Sequence, residues 1–217
     1  GNTGNQMGGW FNKEMNTADD YKGLKMRMPG LGGRTIGKLG ATAVLMGGPD
    51  ILTSLASGAI DAAEWICPVA DLGLGMHQAA KFYYGPGWHE PSTLLDLSID
   101  LKEWEGLDAD TQALMMEMAK AFNVDVFSRF QALNGPALGK LLNEHGVQLK
   151  TFPDELLIAL GNAAGEVMEE RGSIDSQTKA ICNHILSFRK NIMDWSTKGE
   201  SEFARIRNLP FKFPDSV

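Results

Sequence analysis

Residues 23–65 read GLKMRMPGLGGRTIGKLGATAVLMGGPDILTSLASGAIDAAEW. The opening alternates. Leu24, Met26 and Met28 take one side and Lys25 and Arg27 the other, a period of two that predicts a strand. "GGRTIGKLGA" predicts a turn and a short helix. "PDILTSLASG" predicts a better helix: Pro49 and Asp50 suit its first turn, Ile51, Leu52 and Leu55 share a face, and Gly58 stops it. "AIDAAEW" returns as a short strand. A strand–helix–strand passage of this length is a βαβ-like unit, so the fold class expected is α/β.

Working outward, "VADLGLGMHQAAK" reads as helical, "YYGPGWHEPS" as turn-rich, and "TLLDLSID" has a strand's apolar content. From Asp108 the chain turns mostly helical. Asp108 or Asp110 can cap a helix through about Leu133, and "PALGKLLNEHG" is a second, stopped by Gly146. "VQLKTF" alternates like a strand. Pro153 and Asp154 open a helix, "PDELLIALGNAAGEVMEERG". In the last stretch Ile181, Ile185, Phe188, Ile192 and Trp195 are spaced 4, 3, 4, 3, a sustained helical stripe. Such a stripe packs either on its own domain or on a partner subunit.

Composition narrows the function classes. The 217 residues are 43% hydrophobic and 22% charged, ordinary for a globular protein with a real core. A net charge of −7 without a basic run argues against nucleic acid as a partner. No apolar stretch approaches the roughly 20 residues of a membrane helix. Cys67 and Cys182 both lie in apolar surroundings and are expected to be buried free thiols.

The most tempting motif is a decoy. "GGRTIGK", Gly32 to Lys38, matches seven positions of a phosphate-binding loop, but the eighth is Leu39 where Ser or Thr must hold magnesium. Thr35 likewise stands where a dinucleotide fingerprint needs its third glycine. No G-x-S-x-G, H-E-x-x-H or C-x-x-C occurs, and His77, His89, His145 and His184 lack ligand spacing. Nothing pairs a nucleophile with a base, so no catalytic residue is assigned.

Three weaker signals remain. Arg27 on a strand face is ordinarily solvated, yet its guanidinium is the best side chain for a two-pronged grip on a carboxylate. Glu64 ends an apolar strand beside Trp65, where a carboxylate is costly to bury unless it pairs or binds a cation. Gln6 lies in the glycine-rich opening, where an amide oxygen suits a hard cation.

Their order changes the reading. "GNTGNQMGGWF", "YKGLKMRMPG", "DILTSLASGAIDAAEW" and "YYGPGWHE", in that sequence, resemble the periplasmic solute receptors of TRAP transporters (the DctP type), in the branch that binds 2-oxo acids and related monocarboxylates. "HGVQLKTFP" and the long final helix also suit it. The resemblance implies a periplasmic-binding-protein-like two-lobe fold. This chain would be the C-terminal two-thirds of it, lacking most of the first lobe and a signal peptide upstream. Residues 1–65 would form second-lobe α/β structure with cleft residues, and 66–104 a return segment toward the first lobe. The mainly helical 105–217 would include a long helix at about 174–206.

The resemblance also implies roles. Arg27 would grip the carboxylate of a pyruvate-like 2-oxo or 2-hydroxy acid. Gln6 and Glu64 would offer side-chain oxygens, and Trp65 its carbonyl, to a metal ion bridging to the ligand. Sodium is placed ahead of calcium. Asn5 and Glu90 would be further contacts, and Trp10 and Trp88 apolar walls, while the branch varies at His89. Partners would be the TRAP membrane subunits in the periplasm and, through the long helix, a second copy. The rivals are an α/β enzyme acting on 2-oxo acids with the same Arg and metal, for which no acid, base or nucleophile is found, and an interaction domain, which leaves the Arg27, Gln6 and Glu64 spacing unexplained. A lobe without its mate would expose apolar surface.

Overall fold

The computed structural model describes residues 1–212; the last five of the 105–217 segment lie outside the described residues. The chain divides into two compact units, Gly1–Ala164 and Gly165–Val217.

The first unit is an α/β layer structure. Its strands are β1 (Gly9–Phe11), β2 (Lys25–Arg27), β3 (Thr42–Val44), β4 (Ala62–Ala63), β5 (Phe82–Gly85) and β6 (Gln148–Thr151). They form one sheet in the order β3-β2-β4-β1-β5-β6. β2 pairs in parallel with β3 and β4, and β5 with β6, whereas β1 runs antiparallel to both neighbours. The five others therefore share one direction, and β1 alone is reversed.

Alternation along the strands builds two cores. Phe11, Met26, Ala62 and Tyr84 face one side with Leu24, Met28 and Ile36. Trp10, Ala63 and Tyr83 face the other with Ile51, Leu55, Met76 and Leu141. The period-two side expected at Leu24, Met26 and Met28 is the first of these. Helices α1 (Gly30–Lys38), α2 (Gly48–Ala56) and α3 (Pro68–Leu74) follow β2, β3 and β4.

The phosphate-loop look-alike lies inside α1, so its backbone N–H groups serve the helix and form no cradle. Of its glycines Gly33 is a packing residue, since a Cβ there would lie 2.5 Å from the Met28 carbonyl oxygen and 3.0 Å from Ala43 Cβ, whereas Gly37 faces open space.

Three local expectations need correction, and the strand "TAV" was not anticipated. Tyr83–Gly85, the start of the supposedly turn-rich "YYGPGWHEPS", belong to β5, an interior strand. "TLLDLSID" makes only an isolated bridge, Asn2 to Leu94, and Leu94, Leu95 and Leu97 stay exposed. After a short α4 (Leu101–Glu105), the two helices expected around Pro136 are one, α5 (Ala109–Asn143). Pro136 removes one backbone donor, a cost of about 3 kcal/mol in a free helix. Tertiary contacts on both sides offset it: Ala137 and Leu141 are buried beyond the proline, and Asn134 accepts from the Val69 amide at 3.2 Å before it.

α6 (Asp154–Gly172) begins in the first unit, with Leu156 and Leu160 in the core. In the second unit Asp175 caps α7 (Ser176–Ser196) by accepting from the Thr178 amide at 2.7 Å; a π-helical turn (Thr197–Ser201) and α8 (Glu202–Ile206) follow. The expected stripe is there, and Ile181, Ile185, Phe188 and Trp195 are exposed. Both cysteines are free thiols; Cys67 is buried and Cys182 only half-buried.

Candidate functional site

Sheet direction decides where the polar residues meet. Parallel strands end at one edge, and the loops beyond their carboxyl ends are where α/β sheets hold ligands. Arg27 is the last residue of β2, Glu64 and Trp65 follow β4, and Trp88, His89 and Glu90 follow β5. Because β1 is reversed, the residues before it, including Gln6, come to this same edge.

Among the described residues the buried polar or charged side chains are Thr3, Gln6, Arg27, Thr35, Glu64 and Asp71. Half of these are the residues that the sequence singled out. Arg27 is 8% exposed and Glu64 2%. The Arg27 guanidinium pairs with Glu64 Oε1 and donates to the Glu64 carbonyl at 2.8 Å, and its Nε donates to the Met46 carbonyl at 3.4 Å. It also lies over the Trp65 ring, 5.1 Å from the centroid. The other carboxylate oxygen, Oε2, meets His89 Nε2 at 3.2 Å.

The opening segment runs alongside residues 91–95. Thr3 and Gln6 amides donate to the Thr93 and Pro91 carbonyls, each at 3.1 Å. The Gln6 side-chain nitrogen donates to the Thr3 and Thr93 hydroxyls, and the Thr93 hydroxyl donates to Glu90 Oε1 at 2.8 Å. Gly87 passes so close that a Cβ there would lie 2.8 Å from the Gln6 carbonyl oxygen. Gly4 has φ of +68°, and a Cβ there would lie 2.3 Å from Gln131 Nε2, so Gly4 serves a tight approach to α5.

The structure thus brings Gln6, Arg27, Glu64, Trp65 and Glu90 to one edge. Asn5 is exposed beside them. Trp88 is half-buried against the first core. Trp10 is a correction to the expected wall: it is fully buried, stacked on Tyr83 at 4.1 Å, and donates through Nε1 to Asp71 at 3.0 Å. β-strand alternation turns it into the second core.

Two features escaped sequence reasoning. Asp71 is buried and accepts from Trp10, from the Tyr83 hydroxyl at 2.6 Å and from the Ile66 amide at 3.1 Å, so it ties the post-β4 loop to the core. Burial pushes its carboxyl up to about 6 despite those bonds. A lone carboxylate in the apolar "PVADLGLG" was the available signal. The histidines are not all apart either: His77 and His145 rings lie 4.1 Å from each other, and burial, then His145, lowers the His77 pKa.

The donors suit a hard cation. Gln6 spends its side-chain nitrogen on threonines and leaves its amide oxygen out of those bonds; Glu64, whose oxygens meet Arg27 and His89, would supply a carboxylate and Trp65 a carbonyl. Such neutral oxygens with one charge fit sodium, or calcium with further carboxylate such as Glu90. Amide, carboxylate and carbonyl oxygens are hard donors, unlike the thiolates and imidazoles that favour transition metals.

The chain is an α/β protein with a buried guanidinium and oxygen donors gathered at the carboxyl edge of its sheet, the place where such folds hold ligands. Residues 1–173 match the family model of bacterial extracellular solute-binding proteins, family 7, and the chain belongs to that family. It is 39% identical over 203 residues to the monocarboxylate 2-oxoacid-binding periplasmic protein of Nostoc sp. (strain PCC 7120), covering 94% of this chain and 56% of that protein. A TRAP periplasmic solute-binding protein from Pseudoalteromonas atlantica T6c, solved with bound sodium and pyruvate, is 35% identical with a TM-score of 0.89, covering 98% of this chain and 63% of its own. One from Colwellia psychrerythraea, with bound calcium and pyruvate, is 36% identical with a TM-score of 0.88, covering 94% and 62%. The chain therefore spans somewhat under two thirds of the length of these relatives.

Proposed function

We propose that this chain is part of a periplasmic TRAP receptor that captures a small 2-oxo or 2-hydroxy monocarboxylate, pyruvate-like in size, with a metal ion beside it. The observation that carries the reading is the convergence of Gln6, Arg27, Glu64 and Trp65 at the carboxyl edge of the sheet. Arg27 would hold the ligand carboxylate by paired hydrogen bonds. Gln6, Glu64 and the Trp65 carbonyl, with Glu90 and Asn5 nearby, would hold the cation, which neutralises the ligand's chelating oxygens when bound. Sodium is the first choice and calcium the second; relatives were solved with each. Trp88 would close an apolar side. The receptor would hand its ligand to TRAP membrane subunits and would catalyse nothing, in keeping with a family of solute-binding proteins.

Two parts of the surface fit this reading. An apolar groove of about 760 Å³ is lined by residues including Leu95, Leu97, Trp104, Met116 and Phe122. The exposed stripe of α7 would seat a second copy.

The test is calorimetric titration of the full-length protein with pyruvate, with sodium and calcium each present or absent. Cation-dependent binding that Arg27→Ala abolishes is expected. Binding indifferent to Arg27, or no binding of any small 2-oxo acid, would overturn the proposal.

A further inference from the structure

The buried Arg27–Glu64 pair poses a difficulty for the reading above, on which this inference rests. The Arg27 guanidinium donates twice from Nη1, to the Glu64 carbonyl and carboxylate, and once from Nε, to the Met46 carbonyl. A carboxylate arriving for a two-pronged grip would take Nη2 for one prong and share Nη1 or Nε with a protein oxygen for the other. Sharing Nε disturbs only the long bond to Met46, whereas sharing Nη1 loosens Glu64 Oε1. A carboxylate 2% exposed that loses its partner bears a heavy desolvation cost, and a loosened side chain is a poor cation ligand.

His89 sits where it answers this. Its Nε2 meets the other oxygen, Oε2, which Arg27 leaves alone. A carboxylate only accepts, so Nε2 is the donor. The ring is held firmly: the side chain is 3% exposed, it stands edge-on to Trp88 at 5.3 Å and 72°, and its Cβ packs where a Cβ on Gly32 of α1 would come within 3.2 Å. Its Nδ1 is buried and makes no hydrogen bond, so no second bond competes for the ring's orientation.

We propose that His89 is a positioning residue for ligand exchange: it anchors Glu64 through Oε2 while Arg27 transfers its grip from Oε1 to the ligand carboxylate. Glu64 then keeps one orientation in both the empty and the loaded receptor. A side chain that donates from the same place preserves this anchor, and one of similar bulk without a donor does not.

The test uses the full-length protein and begins with its own ring. Nitrogen-15 histidine spectra report which ring nitrogen carries the proton. His89 is expected as the Nε2–H tautomer, slow to exchange with water, both before and after pyruvate is added. A bare Nε2 in either state overturns the inference whatever the variants do. His89→Leu is then expected to lose tenfold or more in pyruvate affinity at fixed sodium, and His89→Gln to recover most of it. Equal losses in both would assign His89 to packing, and unchanged affinity in His89→Leu would remove it from the site; either result overturns the anchor. If the unaltered protein binds no 2-oxo acid, it is the receptor reading that fails, and the tautomer still decides whether His89 holds Glu64.

Discussion

At the scale of single residues, burial sorts the polar groups by task. Arg27 and Glu64 neutralise each other, and removing one partner of such a buried pair typically costs about 3–5 kcal/mol. Arg27→Lys keeps the charge but cannot grip a carboxylate with two prongs, so pyruvate binding by calorimetry should weaken at least tenfold with a smaller stability loss than Arg27→Ala. Asp71 behaves differently. Its folded pKa, about 6, lies above the ordinary 3.8, so the folded state holds the proton more tightly than the unfolded chain. Its contribution to stability is full below about pH 4 and is lost as pH rises to about 6. The stability advantage of the unaltered protein over Asp71→Asn, from urea melts, should therefore shrink by up to about 3 kcal/mol between pH 4 and pH 7. A widening gap would show that the hydrogen bonds from Tyr83 and Trp10 outweigh burial. Arg27, Glu64 and Gln6 could be picked out in the sequence because each is out of keeping with its apolar or glycine-rich neighbours. The tie between Asp71 and Trp10, 61 residues apart, could not.

At the scale of elements, local patterning carries far but stops at tertiary compensation. β2, α2, β6, α6 and α7 follow from period and end signals. The unbroken α5 does not, because "NGP" is locally a turn and only contacts flanking Pro136 make the helix worth continuing. β5 was hidden by the glycines and prolines just beyond it. α1 illustrates the reverse conflict. Gly→Ala in a helix interior ordinarily stabilises by about 0.5–1 kcal/mol. At Gly33 the added methyl meets backbone at 2.5 Å, so Gly33→Ala should instead destabilise by about 1–3 kcal/mol in denaturant melts. Gly37→Ala in the same helix, where a Cβ meets nothing within 4 Å, should be neutral or stabilising.

At the scale of the whole molecule, exposed apolar surface is what demands partners. Ile185 and Phe188 are 49% and 62% exposed on α7. If that stripe seats a second copy, Ile185→Lys with Phe188→Glu should convert a dimer to monomer in sedimentation while pyruvate affinity stays unchanged. A monomer before mutation would refute the seat. The residue types needed to hold a carboxylate and a hard cation, and the periods that make strands and helices, were already present in the order of the amino acids, because both depend on neighbours a few positions away. Which of those residues meet was settled by strand direction and pairing. Parallel β2 and β4 set Arg27 beside Glu64, and the reversed β1 carries Gln6 to the same carboxyl edge. Strand direction and pairing join residues tens of positions apart, and no local period encodes them.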